Sequence, residues 1–287
     1  MVSAAETLIP LPDVCVAHLV DLEHARAMIR AGRLPAPELV REDGAELVAP
    51  NYLPNFAAPP AARSPIWRAH VEREARRFTD AQRRLIDSFG TDPRWTRERQ
   101  LVRMGTAAWG VGLSLLMDGL SDESREWFDR CARSYRFSLA TAPSGNWGRS
   151  IGAIKSRLLC HDDWGAQREA RLTLELGAVE AQTPIPSYAA CLADLVLGEY
   201  GRGLSTAQRL LGRPDFPQPA ARSLVAIAAL DASMYDIAIR ELLQSFESRN
   251  RYLESIPAGD TVVAFQRLAR RRGLCVPLKS HVLPTEA

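Results

Sequence analysis

Lysine is almost absent from this sequence. Lys155 and Lys279 are the only two, and arginine supplies nearly all of the positive charge, which is typical of a GC-rich bacterial genome rather than of a function. The formal net charge is only +2, so the chain lacks the strong field of one sign that attracts nucleic acid or anionic membranes. Neither kind of partner is predicted.

Paired cysteines and long apolar runs are missing as well. The five cysteines are an odd number without a Cys-x-x-Cys pair, which suits a reducing cytosol. The longest uncharged run, residues 104–117, is too short to span a bilayer, and no basic stretch opens a secretory signal. We therefore expect a cytoplasmic protein.

Alternating strand patterns are also absent, whereas apolar residues recur with a helical period along most of the chain. The sequence predicts an all-α protein. A first helix is expected over residues 13–31, with Gly32 as its stop. Seven prolines then oppose helix formation across residues 34–65, so this stretch is a connector that is ordered only if Tyr52, Leu53 and Phe56 dock onto the body. The predicted organisation is an N-terminal helix and connector (1–63) followed by a helical repeat-like domain (64–287).

Helix boundaries are clear in the next segment. Ser64-Pro65 offers a cap followed by proline at the first helical position, and Gly119 is a predicted terminator. Tryptophans on apolar stripes, including Trp164, are expected in the core. Three glycines of the second long helix are predicted to allow close packing: Gly105, Gly110 and Gly112.

A weak internal repeat follows. Four aromatic residues are spaced 36, 36 and 35 residues apart: Phe128, Trp164, Tyr200 and Tyr235. This spacing is close to that of tetratricopeptide helix pairs. It predicts stacked helix hairpins in a tetratricopeptide-like right-handed array, with the four aromatics at equivalent places and a short extended C-terminal tail.

The segment from Ser144 to Trp164 contains two motifs that suggest chemistry. Its glycines and Lys155-Ser156 do not have phosphate-loop spacing, because two residues separate Gly152 from Lys155. Its run from Cys160 to Asp163 lacks the spacing of zinc ligands, and Asp162 or Asp163 suits a helix cap better. We predict no metal, no nucleotide and no cofactor, and a helix followed by a turn.

The C-terminal fifty residues contain a basic-aromatic stretch (Arg249, Arg251, Tyr252), a Leu-Ala-x-x-x-Gly-like helix end, and a final Ser-x-x-Leu-Pro segment. In these features the segment resembles the end of the immunity-49 type of all-helical bacterial immunity proteins, which accompany polymorphic toxins. Upstream, the Gly-Asn-Trp helix around Trp147 is similar too. Val282 stands where that family usually has tyrosine, and the N-terminal third shows no match.

The resemblance implies a protein that is not an enzyme and that binds one cognate toxin through a helical face within residues 147–252. The candidate contact residues are Trp147, Arg149, Arg249, Arg251 and Tyr252; any that proves buried is structural. A tetratricopeptide-like adaptor with several clients is the alternative. An enzyme would require convergent polar side chains in a pocket, which the helical stripes do not suggest.

Overall fold

The protein is built almost entirely from helices in the computed structural model, which describes residues 8–89, 94–180 and 183–285. The helices are α1 (Leu11–Ala17), α2 (Leu22–Arg30), α3 (Pro65–Asp87), α4 (Arg94–Met117), α5 (Ser121–Leu139), α6 (Trp147–Leu159), α7 (Asp163–Glu175), α8 (Pro184–Leu197), α9 (Tyr200–Gln208), α10 (Gln218–Ala229), α11 (Ala232–Glu247) and α12 (Asp260–Arg270). A 3₁₀ turn at Leu253–Ser255 precedes α12. The all-α prediction is confirmed. Within the described ranges, none of these helices is both long and apolar enough for a bilayer crossing.

The N-terminal region differs from the prediction in two ways. Residues 13–31 do not form one helix, because Leu19 adopts a φ of 55° between α1 and α2. The region also contains three strands, β1 (Ile9–Pro10), β2 (Leu39–Val40) and β3 (Glu46–Val48), in an antiparallel sheet of order β1-β3-β2. Strands of two or three residues are too short to show alternation, which explains why the sequence did not reveal them.

The connector is docked onto the body, as its apolar residues require. A small cluster of buried side chains holds the sheet against α1 and α2: Ile9, Leu11, Val14, Cys15, Ala25, Val48 and Leu53. Tyr52 packs against this cluster, and Phe56 packs against the main core. Ile86 and Phe89, at the end of α3, contact both clusters, so the two apolar regions are continuous in space.

The start of α3 and the end of α4 confirm their predicted positions. Pro65 is the first residue of α3, and Gly119 follows α4 with a φ of +78°. The cap itself differs, because the Ser64 side chain makes no capping hydrogen bond. Instead the carboxylate of Asp118 accepts hydrogen bonds from the backbone N–H groups of Arg63 and Ser64, at 3.0 Å for Ser64. One turn therefore ties the beginning of α3 to the end of α4.

From α3 to α11 each helix packs against the next in the chain, and α6 also contacts α8. The four spaced aromatics lie on alternate helices, α5, α7, α9 and α11. Their positions within those helices differ: Phe128 is in the middle of α5, whereas the other three lie in first turns. Their burial differs too, since Phe128 and Tyr235 are buried while Trp164 is 69% exposed. The core assignment of Trp164 was wrong, because its position in the first turn of α7 faces away from the neighbouring helices.

All three predicted glycines of α4 confirm the close-packing prediction, and Gly112 and Gly110 show it on opposite neighbours. A Cβ atom on Gly112 would lie 2.9 Å from the ring of Phe128 on α5. One on Gly110 would lie 2.7 Å from the side chain of Glu74 on α3. Both distances are shorter than real Cβ atoms tolerate, so these positions let α4 lie directly against both neighbours.

Candidate functional site

The C-terminal segment folds back over the helices that precede it. Helix α12 contacts α6, α10 and α11, and the ring of Phe265 lies 6.4 Å from that of Tyr188 on α8. Gln266 of α12 bonds both α11 and the C-terminal tail. Its Oε1 accepts from the Tyr235 hydroxyl at 2.8 Å, and its Nε2 donates to the carbonyl of Val276 at 2.6 Å. The extended tail is therefore part of the core, and Val282 is fully buried.

A cavity of about 430 Å³ remains between this returning segment and the helices. Its walls come from α4, α6, α8, α10, α11 and α12, and from the turn that follows α11. Most lining side chains are apolar: Leu113, Ile151, Ile185, Tyr188, Phe216, Ala220, Leu242, Phe246, Leu253, Ile256 and Ala258. Concave sites with apolar walls and a few polar groups are the usual form of ligand and anchor pockets in proteins.

One wall of the cavity carries a buried ion pair. Lys155 is only 7% exposed, and its Nζ contacts the carboxylate of Asp260, at the first turn of α12, and donates to the Thr261 hydroxyl at 3.0 Å. The same ammonium lies 5.4 Å from the centre of the Trp109 ring. Lys155 therefore links α6 to α12, and its charge is matched inside the wall.

The turn after α11 forms the rim of the cavity in an unusual backbone conformation. Glu254 and Ser255 have φ values of 53° and 58°, a region that costs non-glycine residues on the order of 1–3 kcal/mol each. Two arginines of α3 hold the turn: Arg73 donates to the Glu254 carbonyl at 2.8 Å, and Arg77 pairs with the Glu254 carboxylate. Leu253, which precedes Glu254 in the chain and lines the cavity, is 62% exposed.

The predicted basic-aromatic stretch lies on this rim. Tyr252 donates its hydroxyl to the carbonyl of Phe246 at 2.7 Å, which satisfies a carbonyl at the end of α11. The guanidinium of Arg249 lies 3.7 Å from the centre of the Phe246 ring. Both residues line the cavity, whereas Arg251 is exposed beside them.

The other two predicted contact residues lie at an adjoining depression. Trp147 and Arg149 line it, and it shares Gly148 and Ile185 with the cavity. Trp147 is half-buried, whereas the Arg149 side chain is 13% exposed, pairs with Glu98 and donates to the Ser138 carbonyl at 3.4 Å. Arg149 is thus partly exposed, like Trp147 and Tyr252, and stays a candidate contact residue, although its guanidinium is bound within the chain.

The segment between Cys160 and Asp163 is structural, because each side chain bonds a different neighbour. His161 has a φ of 60° and its ring lies 3.0 Å from Arg267, while Asp162 caps α7 by accepting from Gly165 at 2.8 Å. Asp163 pairs with Arg271. Burial raises the pKa of the Cys160 thiol to about 11, which opposes the thiolate form that a nucleophile needs.

A charge cluster fills the opposite side of α6. Arg157 is buried, and its Nη1 donates to Asp129 of α5 and, at 2.9 Å, to Asp162. Glu169 of α7 lies 3.7 Å from its Nε and accepts from Arg136 at 2.8 Å. Burial raises the pKa of Glu169 to about 7, against the lowering effect of Arg157 and Arg168. Three carboxylates thus surround Arg157, and the cluster joins α5, α6 and α7.

Sequence reasoning found the rim but missed the cavity. In the sequence Lys155 suggests only a phosphate-loop lysine, because its partner Asp260 is more than a hundred residues away. A single lysine inside a helix of apolar residues, in a chain with only two lysines, was the available signal. Among the described residues, no group of three or more His, Cys, Asp or Glu side chains is placed to hold a metal ion.

Comparison with protein families, with curated proteins and with solved structures finds no match to this chain.

Proposed function

We propose that this protein binds and neutralises a cognate bacterial toxin in the cytoplasm, without catalysis, through the face that contains the cavity rim. One observation carries the proposal. The two stretches that resemble immunity proteins are about a hundred residues apart in the chain, yet Trp147, Arg249 and Tyr252 lie around two depressions that share Gly148 and Ile185. The resemblance and the geometry therefore point to the same surface.

The composition of this surface supports a protein partner. Ile185 is 48% exposed beside Leu253, so apolar side chains stand at the rim. Interface hot spots are enriched in tryptophan, tyrosine and arginine around well-packed pockets. The rim offers Tyr252, Arg249 and Arg251, and the adjoining depression offers Trp147. Large exposed apolar side chains around a concavity are typical of interaction sites.

We further propose that α4 to α11 form stacked helix hairpins in a tetratricopeptide-like right-handed array. The packing of each helix on the next and the contact of α6 with α8 support this arrangement. An array of this kind presents a continuous face to a protein partner. In this chain α12 packs against α6, α10 and α11, and exposed residues of the cavity rim lie beside it.

The experiment is co-expression with the protein encoded by the adjacent gene. We expect that protein to kill cells when expressed alone and to be harmless together with this chain. Replacing both rim arginines, Arg249→Glu and Arg251→Glu, should weaken the complex by at least about thirtyfold, because a hot-spot residue contributes about 2 kcal/mol or more.

The matched control is Arg30→Glu with Arg33→Glu, which makes the same charge change on exposed arginines of the N-terminal region. This pair should leave protection intact. Equal loss in both double variants would contradict the rim as the contact surface. Capture of several unrelated client proteins, with no toxic neighbour, would favour the adaptor function instead.

A further inference from the structure

The volume of the cavity is large enough for a small-molecule ligand. A water molecule takes up about 30 Å³ of liquid, so a volume of about 430 Å³ accommodates a molecule of roughly ten to fifteen non-hydrogen atoms. Its walls come from helices, from the segment before α10 and from the turn after α11, and Leu113, Leu242, Phe246 and Ile256 are all buried. The space is therefore held open by the fold.

The interior favours an apolar ligand body. The charged groups on the inner wall, Lys155 and Asp260, are paired with each other, and Thr261 completes their hydrogen bonds. No charge inside the cavity therefore requires a counter-charge from a ligand. The remaining wall consists of aliphatic and aromatic side chains, which gain free energy when water leaves their surface.

The mouth has the opposite character. Asp215 is paired with Arg213, whose Nε and Nη2 lie 3.0 Å from its carboxylate oxygens. Arg249 has no carboxylate partner among the described residues, and the face of Phe246 holds its guanidinium in place. The uncompensated charge at the mouth is therefore positive, and a pre-positioned guanidinium recognises a carboxylate through charge-assisted hydrogen bonds.

We propose that this cavity binds a small amphipathic anion, a monocarboxylate with an apolar body of roughly ten to fifteen non-hydrogen atoms. The body occupies the apolar interior, and the carboxylate lies at the mouth against Arg249. This ligand is a small molecule, whereas the proposed toxin partner is a protein. The proposal of a ligand site does not depend on the proposed function.

Calorimetric titration with decanoate, decanol and decylamine tests the ligand class, because the three probes share a chain length and differ in charge. We expect one decanoate per protein chain, weaker decanol and no decylamine. The full-length protein should also unfold at a higher temperature with decanoate, because a ligand that binds only the native state stabilises it. Equal binding of decanoate and decylamine, or no binding of any probe, would overturn the proposal.

Two variants locate the site. Arg249→Gln should weaken decanoate binding about tenfold and leave decanol binding unchanged, because only the carboxylate meets the guanidinium. Gly148→Phe should abolish both, since Gly148 lines the cavity and a Cβ atom added there meets no atom within 4 Å, which leaves room for the ring to enter. The matched control is Gly201→Phe, at another exposed helical glycine with free space that does not line the cavity.

The thermal unfolding temperature of each unliganded variant shows whether it is folded. If Gly148→Phe does not fold, Arg249→Gln still decides, because it alters only an exposed side chain. Decanoate binding unchanged in Arg249→Gln would refute the orientation. A Gly148→Phe protein that loses decanoate but still protects cells separates this site from toxin neutralisation, whereas loss of protection with normal decanoate binding affects only the proposed function.

Discussion

Helix α6 carries two buried cations, Lys155 and Arg157, and their surroundings differ sharply. Successive residues of an α-helix are about 100° apart, so positions two residues apart face nearly opposite directions. Arg157 faces α5 and α7, where three carboxylates enclose it. Lys155 faces α12 and has one carboxylate partner, beside a cavity that the protein does not fill.

The difference shows that a buried charge alone does not mark a binding site. Around Arg157 the space is occupied by helix side chains, and the cluster holds three helices in register. Beside Lys155 the ion pair is equally well matched, but apolar walls, exposed rim residues and an arginine without a carboxylate partner adjoin it. Unfilled volume and uncompensated charge at its mouth are the features that indicate a ligand or partner.

The largest effect is expected on the closed side of α6, which is the side that Arg157 occupies and that faces α5 and α7. Arg157→Met should lower the free energy of unfolding by about 3–5 kcal/mol, because removing one partner of a buried ion pair leaves carboxylates buried without compensation. Urea denaturation measures the change. Arg240→Met is the control, since Arg240 pairs with Asp236 four residues earlier on the exposed side of α11 and should cost less than about 1 kcal/mol. Similar losses in both variants would show that burial does not distinguish the two pairs.

A smaller effect is expected from the titration of Glu169 within the same cluster. Its pKa is about 7 in the folded protein, above the ordinary value of 4.5, so the folded state retains a proton that the unfolded state releases. The stability contributed by this proton is present below pH 4.5 and is lost as the pH rises towards 7. The unfolding free energy of the native protein relative to Glu169→Gln should therefore fall by about 1–2 kcal/mol between pH 5 and pH 7. A constant or slightly rising difference over that interval would mean that the arginines outweigh burial and lower the pKa.

Local sequence signals predicted the fold where the determining contacts are local. The start of α3 at Pro65, the positive φ of Gly119 and the Asp162 cap of α7 each depend on neighbours within a few residues. The sheet was missed because β1 pairs with a segment far away in the chain. The break at Leu19 was missed because no glycine or proline marks it, although its backbone N–H bonds the nearby Val16 carbonyl. The prediction that Trp164 lies in the core was wrong, because the sequence of α7 does not show which of its faces the neighbouring helices cover.

The candidate site could be predicted only at its edge. Arg249 and Tyr252 lie close together in the sequence and belong to one motif, so their proximity could be predicted without a structure. The cavity depends on α12 returning to α6, and no pattern in the sequence specifies that Lys155 will meet Asp260. The strained turn at Glu254 is likewise fixed by Arg73 and Arg77, which lie some 180 residues earlier.

The smallest effect on stability is expected at Trp164, which lies in the first turn of α7, just beyond the C-terminal end of α6. Its ring is mostly exposed and contacts the guanidinium of Arg168 at 5.1 Å, an interaction worth about 0.5–1 kcal/mol at an exposed site. Trp164→Ala should therefore lower the free energy of unfolding by less than about 1 kcal/mol and leave toxin protection unchanged. Trp147→Ala, at the N-terminal end of α6, should be folded as well but should weaken the proposed toxin complex by about tenfold or more, as expected for a tryptophan at an interface. Urea denaturation and the co-expression assay measure the two quantities. Loss of protection in Trp164→Ala, with Trp147→Ala unaffected, would place the contact surface on the closed side of α6 and reverse the assignment of the two faces.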